Sequence, residues 1–360
     1  MQAKRRSVSF SLAAGALALG LVATLAASAV AQSDFTQRIS FQISTGSTTG
    51  TYFPVGNLLA MVLSHPPGVG RCEAAYACGP SGLIVSTRAS QGSVANLLAV
   101  NGGMVSSGLA QTDVVALAVA GQGPFRKGGA EKRLRVIANL YGEDVHLIAA
   151  KAAKIKSIAD LRGKRVSLST EGSGTNVTAR AILTAYQLER TIKPNLDSAE
   201  KAVDLLQSGK LDAMFFVGGT PVNLLQQLLD EDVAVLVPIS GDGIKRLIAR
   251  EPYLTPHTIP KGTYANTPDV ETVSVDALWI TDESQPDALV YGMLKALFNP
   301  ANRPAIQAER LGEHFLDITS AAKDGNAPLH PGAVRFFTEA GILKPAQKAA
   351  DPVKTPIRKS

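Results

Sequence analysis

The sequence predicts a two-lobed α/β fold, and three observations predict it. Short apolar strands alternate with apolar-periodic helices through most of the chain. Two strand–loop–helix units in different halves carry the same kind of loop, Ser-Thr followed by Gly, Ser and Thr, at 44–51 and 169–175. Two extended apolar stretches, one around 134–150 and one at 272–280, read as crossovers between lobes. With 360 residues, 45% of them hydrophobic, and a mean hydropathy of +0.10, the chain can fill two cores.

Residues 1–31 read as an export leader. Lys4, Arg5 and Arg6 precede an apolar run over 8–30, and Ala29-Val30-Ala31 is a small-residue cleavage site, so cleavage is expected after Ala31. A retained membrane anchor is the alternative. The mature protein is therefore expected in the periplasm, soluble and monomeric. The leader holds three of the 36 basic residues and none of the 30 acidic ones, so the net charge falls from +6 to +3 without it. That balance implies neither nucleic-acid nor membrane binding. Cys72 and Cys78, a close pair in a loop, are expected to form a disulfide in an oxidising compartment, with free thiols as the alternative. The five histidines, His65, His146, His257, His314 and His330, lack ligand spacing, so neither a metal nor a cofactor is expected.

In chain order, the pattern predicts a strand at 39–43, the loop 44–51 and a helix to about Leu63. A strand at 83–87 follows, then a helix at 94–100 capped by Ser93 or its neighbour and stopped by Gly102 and Gly103. A strand at 104–110 ends at Gln111, and a helix-like run reaches Ala120. Apolar strands at 134–140 and 146–150 are interrupted at 141–144, which marks the first crossover. Beyond it come a short helix, a turn at Gly163, a strand to Ser169 and a helix to about Tyr186. A helix at 199–207, a strand at 211–217, a helix at 222–229, a strand at 233–237 and a helix at 243–250 complete the second unit. Residues 252–268 read as irregular, 272–280 as the second crossover strand and 286–297 as a helix. The resulting division is leader 1–31, first lobe 32–144, second lobe 145–271, return to the first lobe 272–344 and a mobile tail 345–360.

A small-residue loop that leaves a strand and opens a helix is a place to hold an anion. The first N–H groups of a helix have no internal partner, and the helix dipole favours negative charge there. Ligands of open α/β sheets bind outside the carboxyl ends of strands. Two such lobes facing each other form a cleft lined by both loops. The units echo further: 97–105 and 205–213 are each a helix, a glycine stop and a strand, and Gly218-Gly219-Thr220 takes the place held by Gln111-Thr112-Asp113.

Seven strings in order, GSTTGTY at 46–52, GSVAN at 92–96, QTD at 111–113, DLRGKRV at 160–166, GSGT at 172–175, IPKGTY at 259–264 and PLHPG at 328–332, resemble the TAXI family. These are solute-binding subunits of TRAP transporters, and the similarity spans about residues 38–340. The resemblance implies a type II periplasmic-binding-protein fold and a small anionic solute, a glutamate-like amino acid or a dicarboxylate. It also implies delivery to a sodium-coupled TRAP-type integral membrane subunit. Residues expected to line the cleft are Gly46, Ser47, Thr48, Thr49, Thr51, Tyr52, Gly92, Ser93, Gln111, Ser173, Gly174, Thr175 and Tyr264, which lie in these strings, and Gly218, from the echo of 111–113. The loop 46–52 is richer in Ser and Thr than is usual in the family, which bears on the ligand more than on the fold.

Several of these residues have a plainer role available. Thr51 and Thr175 suit helix N-caps. Tyr52 and Tyr264 suit packed amphipathic positions. Gln111 ends a buried strand and its amide suits an amino-acid ligand. Arg88 and Arg180 lie near the two loops and are the candidate carboxylate clamps. Glu171 sits badly in an anion site and is expected to face solvent or a ligand amine. Trp279, the only Trp, lies on an apolar strand and reads as core. No nucleophile elbow, zincin motif or P-loop is present, so no enzymatic activity is expected. A solute-binding protein serving an ATP-driven transporter, or a sensor feeding a kinase, is the alternative role.

Overall fold

The computed structural model describes residues 38–67, 79–308, 315–323 and 325–344. The expected leader, Cys72 and Cys78 with their disulfide, and the tail from 345 lie outside the described residues. The first lobe opens with β1 (Ile39–Ser44), α1 (Tyr52–Leu63), β2 (Leu83–Arg88), α2 (Ser93–Asn101), β3 (Ser107–Gln111) and α3 (Thr112–Ala120). β1 lies between β2 and β3 and is parallel to both.

The chain leaves this lobe on β4 (Leu134–Ala150), a single strand of 17 residues. The interruption expected at 141–144 is not a break. Gly142 with two acidic neighbours has turn chemistry, but Tyr141 and Glu143 pair with Ala277 and Val275, and Asp144 pairs with Gly218. Tyr141, Glu143 and Asp144 are all buried.

The second lobe comprises β5 (Arg165–Ser167), α4 (Gly174–Ala185), β6 (Lys193–Asn195), α5 (Ala199–Gln207), β7 (Ala213–Gly218), α6 (Asn223–Asp230), β8 (Ala234–Leu236), α7 (Asp242–Arg250) and β9 (Thr255–Ile259). β9 lies inside the stretch expected to be irregular. It pairs only with β10 (Val270–Asp282), along one edge, and an edge strand tolerates Pro256. β10 carries the chain back to the first lobe, where α8 (Asp287–Leu297), α9 (Arg303–Gln307), α10 (Ile318–Ala321) and α11 (Pro331–Glu339) finish it. No helix among the described residues is long and apolar enough to cross a membrane.

One mixed sheet runs through both lobes in the order β2-β1-β3-β10-β4-β7-β5-β6, with β8 on β4 and β9 on β10. Helices cover both faces, so strand residues alternate between two buried layers and read as continuous apolar runs. On β10, Ala277 and Trp279 join Phe41 and Leu59 in one core of the first lobe, while Leu278 and Ile280 join Leu97 and Val114 in the other. The second lobe has its own two cores, one against α4 and α7 and one against α5 and α6.

Trp279 is fully buried, edge-on to Phe41 at 6.2 Å, and its indole N–H donates to Ser107 Oγ at 3.0 Å. Trp279→Ala is expected to cost about 3–5 kcal/mol through the cavity it leaves. Denaturant unfolding should show a lower midpoint with an unchanged slope; an unchanged midpoint would remove this residue from the core that holds the first lobe.

Candidate functional site

Both small-residue loops lie at the carboxyl ends of parallel strands and face each other. The first, 45–51, follows β1 and opens α1. The second, 168–173, follows β5 and opens α4. Ser173 Oγ caps α4 by accepting from the Asn176 N–H. The other two caps differ from expectation. Thr51 stands at the N-cap of α1 but makes no side-chain cap. Thr175 lies inside the first turn of α4, and its Oγ1 accepts from the Val217 N–H on β7. Ser93 is likewise the first residue of α2, and its Oγ accepts the Gln111 N–H at 3.1 Å. Ser90 locks the loop before α2 by donating to Thr45 O and accepting from the Gly92 N–H.

The lobes are closed on each other. The Ala95 N–H donates to Gly172 O at 3.1 Å, Thr178 Oγ1 donates to Asp113 Oδ2 at 2.5 Å and the Gly219 N–H donates to Thr51 Oγ1 at 3.4 Å. Ser47 and Thr49 both donate to the carboxylate of Glu200 from the opposite lobe. Gly174 lets α4 come this close. A Cβ there would overlap the Gln111 side-chain oxygen and reach within 2.6 Å of Ser93 Oγ.

Between the lobes lies a cavity of about 180 Å³. Its wall takes in the N-termini of four helices, α1 at Thr51 and Tyr52, α2 at Gly92 and Ser93, α4 at Ser173 to Thr175, and α5 at Ser198 to Glu200. The positive ends of their dipoles make the wall attractive to negative charge, although the Ala95 N–H of α2, the Asn176 N–H of α4 and the Lys201 N–H of α5 are already taken by Gly172 O, Ser173 Oγ and Ser198 Oγ. The described lining residues nevertheless include two carboxylic acids, Glu143 and Glu200, and no lysine, arginine or histidine.

These two acids behave oppositely. Glu143 is 1% exposed on β4. Burial pushes its pKa up to about 8, against the pull of the Tyr52 and Thr51 hydroxyls, which donate to it at 2.9 and 3.3 Å. Burial, with the nearby Glu143 charge, also keeps Tyr52 a neutral phenol. For Glu200, burial acts upward, but the Ser47 and Thr49 hydroxyls outweigh it and hold the pKa at about 2. Its place in the first turn of α5 favours the ionised form as well.

Of the residues expected in the cleft, Gly46, Ser47, Thr51, Tyr52, Gly92, Ser93, Gln111, Ser173, Gly174 and Thr175 line this cavity. Thr48, Thr49, Gly218 and Tyr264 do not. Thr48 and Thr49 are exposed at the loop tip. Gly218 packs behind Thr51. Tyr264 is buried in the second lobe, where its hydroxyl accepts from the Val222 N–H and meets His146 Nε2 at 2.9 Å. Neither arginine reaches the cavity. Arg88 is exposed at the end of β2. Arg180 is held by Asn176 and Glu189 and lines a second cavity of about 540 Å³, together with Asp113, Glu171 and Glu251. Sequence reasoning missed Glu143, hidden in the apparent interruption of β4. It also missed Glu200, which follows Ser198 as an ordinary first-turn acid.

The chain matches the model of the NMT1-like family over residues 43–341 and belongs to that family. Among solved structures it resembles MatC from Rhodopseudomonas palustris with bound malate, at 12% identity and a TM-score of 0.50, over 86% of this chain and 97% of that one. It is also similar to the alkanesulfonate-binding protein SsuA from Xanthomonas axonopodis pv. citri, at 14% identity and a TM-score of 0.41, covering 84% and 85% of the two chains. The periplasmic aliphatic sulphonate binding protein SsuA from Escherichia coli gives 15% identity and a TM-score of 0.44, with 84% and 79% covered. The fold is the two-lobe α/β periplasmic-binding-protein fold.

The elevated pKa of Glu143 has a stability consequence. The folded protein keeps a proton on Glu143 that the unfolded chain releases above its ordinary value of 4.5, so stability falls as pH rises from there to about 8. Glu143→Gln removes this slope. The variant should match the native protein near pH 4.5 and gain on it by on the order of 1.4 kcal/mol per pH unit across that window, read by urea unfolding at several pH values. A pH-independent difference between the two proteins would show that Glu143 ionises normally.

Proposed function

We propose that this NMT1-like protein is an extracytoplasmic solute-binding subunit that captures one small solute between its lobes and hands it to a membrane transporter. The observation that carries this reading is the cavity enclosed by two closed lobes, with helix N-termini from both directed at it. That arrangement holds a small ligand with an anionic group by backbone N–H donors, without a guanidinium clamp. The cavity is smaller than the roughly 300 Å³ at which drug-sized sites begin, in keeping with a metabolite-sized solute. The chain binds and releases its solute without chemistry. Residues 1–31 direct it to the periplasm and are removed after Ala31. Its membrane partner is a sodium-coupled TRAP-type subunit of the TAXI kind, a reading supported by the seven ordered strings from 46 to 332.

The affinity expected is on the order of 1 μM or tighter, about −8 kcal/mol. Thermal shift against small carboxylates and amino acids should find at least one that raises the melting temperature. Failure of every small solute would remove the capture reading. Gly174→Val should weaken binding by at least about 100-fold while circular dichroism stays native, because the new side chain holds the lobes apart at Gln111 and Ser93. Uptake in vesicles should follow a sodium gradient and be indifferent to ATP; ATP-driven uptake would reassign the partner.

A further inference from the structure

The cavity bordered by Arg180 is larger than the one between the two small-residue loops. It holds about 540 Å³ against about 180 Å³, and so falls inside the roughly 300–1,000 Å³ of small-molecule sites. Both lobes build it. Asp113, Leu117 and Pro124 come from the first lobe, and Val177, Tyr253 and Leu254 from the second. The leucines, Pro124 and Val177 give it an apolar wall. Its charges are one-sided. Asp113, Glu171 and Glu251 border it, and its one described cation, Arg180, is engaged by Asn176 and Glu189 at 2.9 and 3.0 Å. Neither Glu171 nor Glu251 has an ion pair among the described residues; Glu251 accepts only the Tyr253 hydroxyl. Asp113 is 4% exposed, and its oxygens accept from neutral donors alone, the Thr178 hydroxyl and the Val114 N–H. Burial pushes its pKa up to about 6 against the pull of these donors, and the Glu251 charge adds to the rise. A buried carboxyl beside a second one, with no counter-charge, is a costly arrangement that a cation relieves.

We propose that this cavity is a second binding site, distinct from the solute cavity, for a small organic cation with an apolar body, an alkyl- or arylammonium. The ammonium faces the carboxylates of Asp113 and Glu251, and the body lies against Leu117 and Leu254. An anion would meet three carboxylates there, and an uncharged molecule would leave them uncompensated. The occupant touches both lobes. It therefore adds to the Thr178–Asp113 contact that already joins them. The site goes beyond solute capture and does not depend on it.

The test titrates the mature protein by calorimetry with hexylammonium and phenethylammonium, and with hexanol and hexanoate as the uncharged and anionic counterparts. At least one ammonium should bind saturably, one per chain, and at least about 10-fold more tightly than hexanol or hexanoate. Glu251→Gln from the second lobe and Leu117→Trp from the first should each weaken that binding by at least about 10-fold, with circular dichroism native. Should either variant not fold, Glu171→Gln takes its place with the same expectation. Equal or tighter binding of hexanol or hexanoate overturns the cation assignment. Unchanged ammonium binding in the folded variants puts the ammonium elsewhere and overturns the site. No saturable binding of either ammonium up to about 10 mM overturns the proposal outright. Solute capture is read separately, by the thermal shift with carboxylates and amino acids, and stands or falls without reference to these titrations.

Discussion

Strands β4 and β10 pair with each other over most of their length, and the two lobes are built on that ladder. The register runs from Ser274 opposite Asp144 to Asp282 opposite Leu134, with shifts at Ala277/Leu278 and Trp279/Ile280. One half of β10 also pairs with β3 and the other with β9, while the far half of β4 pairs with β7. Each lobe's parallel strands are therefore hung from opposite ends of the same two strands. This sets the carboxyl ends of β1 and β3 against those of β5 and β7, and the loops that follow them meet across one cavity. Bulges increase local twist and bend, so the irregular register falls where a sheet shared by two lobes must change direction. Glu143 sits in this ladder, which is why a carboxyl can be so deeply buried and still border the cavity.

Four helix N-termini at one cavity wall create a positive potential that must be balanced in the closed protein. Glu200 supplies part of the balance from within the chain. It occupies the first turn of its own helix and also takes the hydroxyls of Ser47 and Thr49. The Ser/Thr character of the first loop thus serves contact between the lobes. Gly46, Thr51 and Tyr52, which flank the tip, remain in the cavity wall. The loop divides its work along its length, with the tip closing the cleft and the base shaping it.

Much of the fold was legible because the strand and helix periods are clean and the two loops repeat. The positions of β1, α1, α4, β7 and α8 differ from expectation only at their ends. What misled was local chemistry overridden by tertiary pairing. Gly142 and the acids beside it look like a turn, yet they continue a strand because neighbours on both sides supply ladder partners. Pro256 argues against a central strand and says nothing against an edge one. At the site, backbone-determined positions such as Gly92, Ser173 and Gly174 could be read, since only a small-residue loop at a helix start fits them. Side-chain partners across the lobes could not. Arg88 and Arg180 are close to the loops in sequence, but strand direction and the Glu189 contact turn them elsewhere. Glu200 lies 153 residues from Ser47, beyond anything local spacing can report.

Closure brings these features together in one energetic problem. Bringing α4 against β3 desolvates Gln111 Oε1 and confines Glu143, both unfavourable in a dry cavity. The contacts that favour closure, Glu200 with Ser47 and Thr49, Thr178 with Asp113 and Ala95 with Gly172, lie around the cavity rim. The rim thus stabilises a closed state whose interior is polar and incompletely paired. A solute that completes the interior shifts the balance to closure, and one that merely fills the volume does not, because a ligand moves a conformational equilibrium only by its differential affinity for the two states. On the proposed capture reading, selectivity resides in the interior acceptors and helix ends, while the contacts between the lobes set how readily they close.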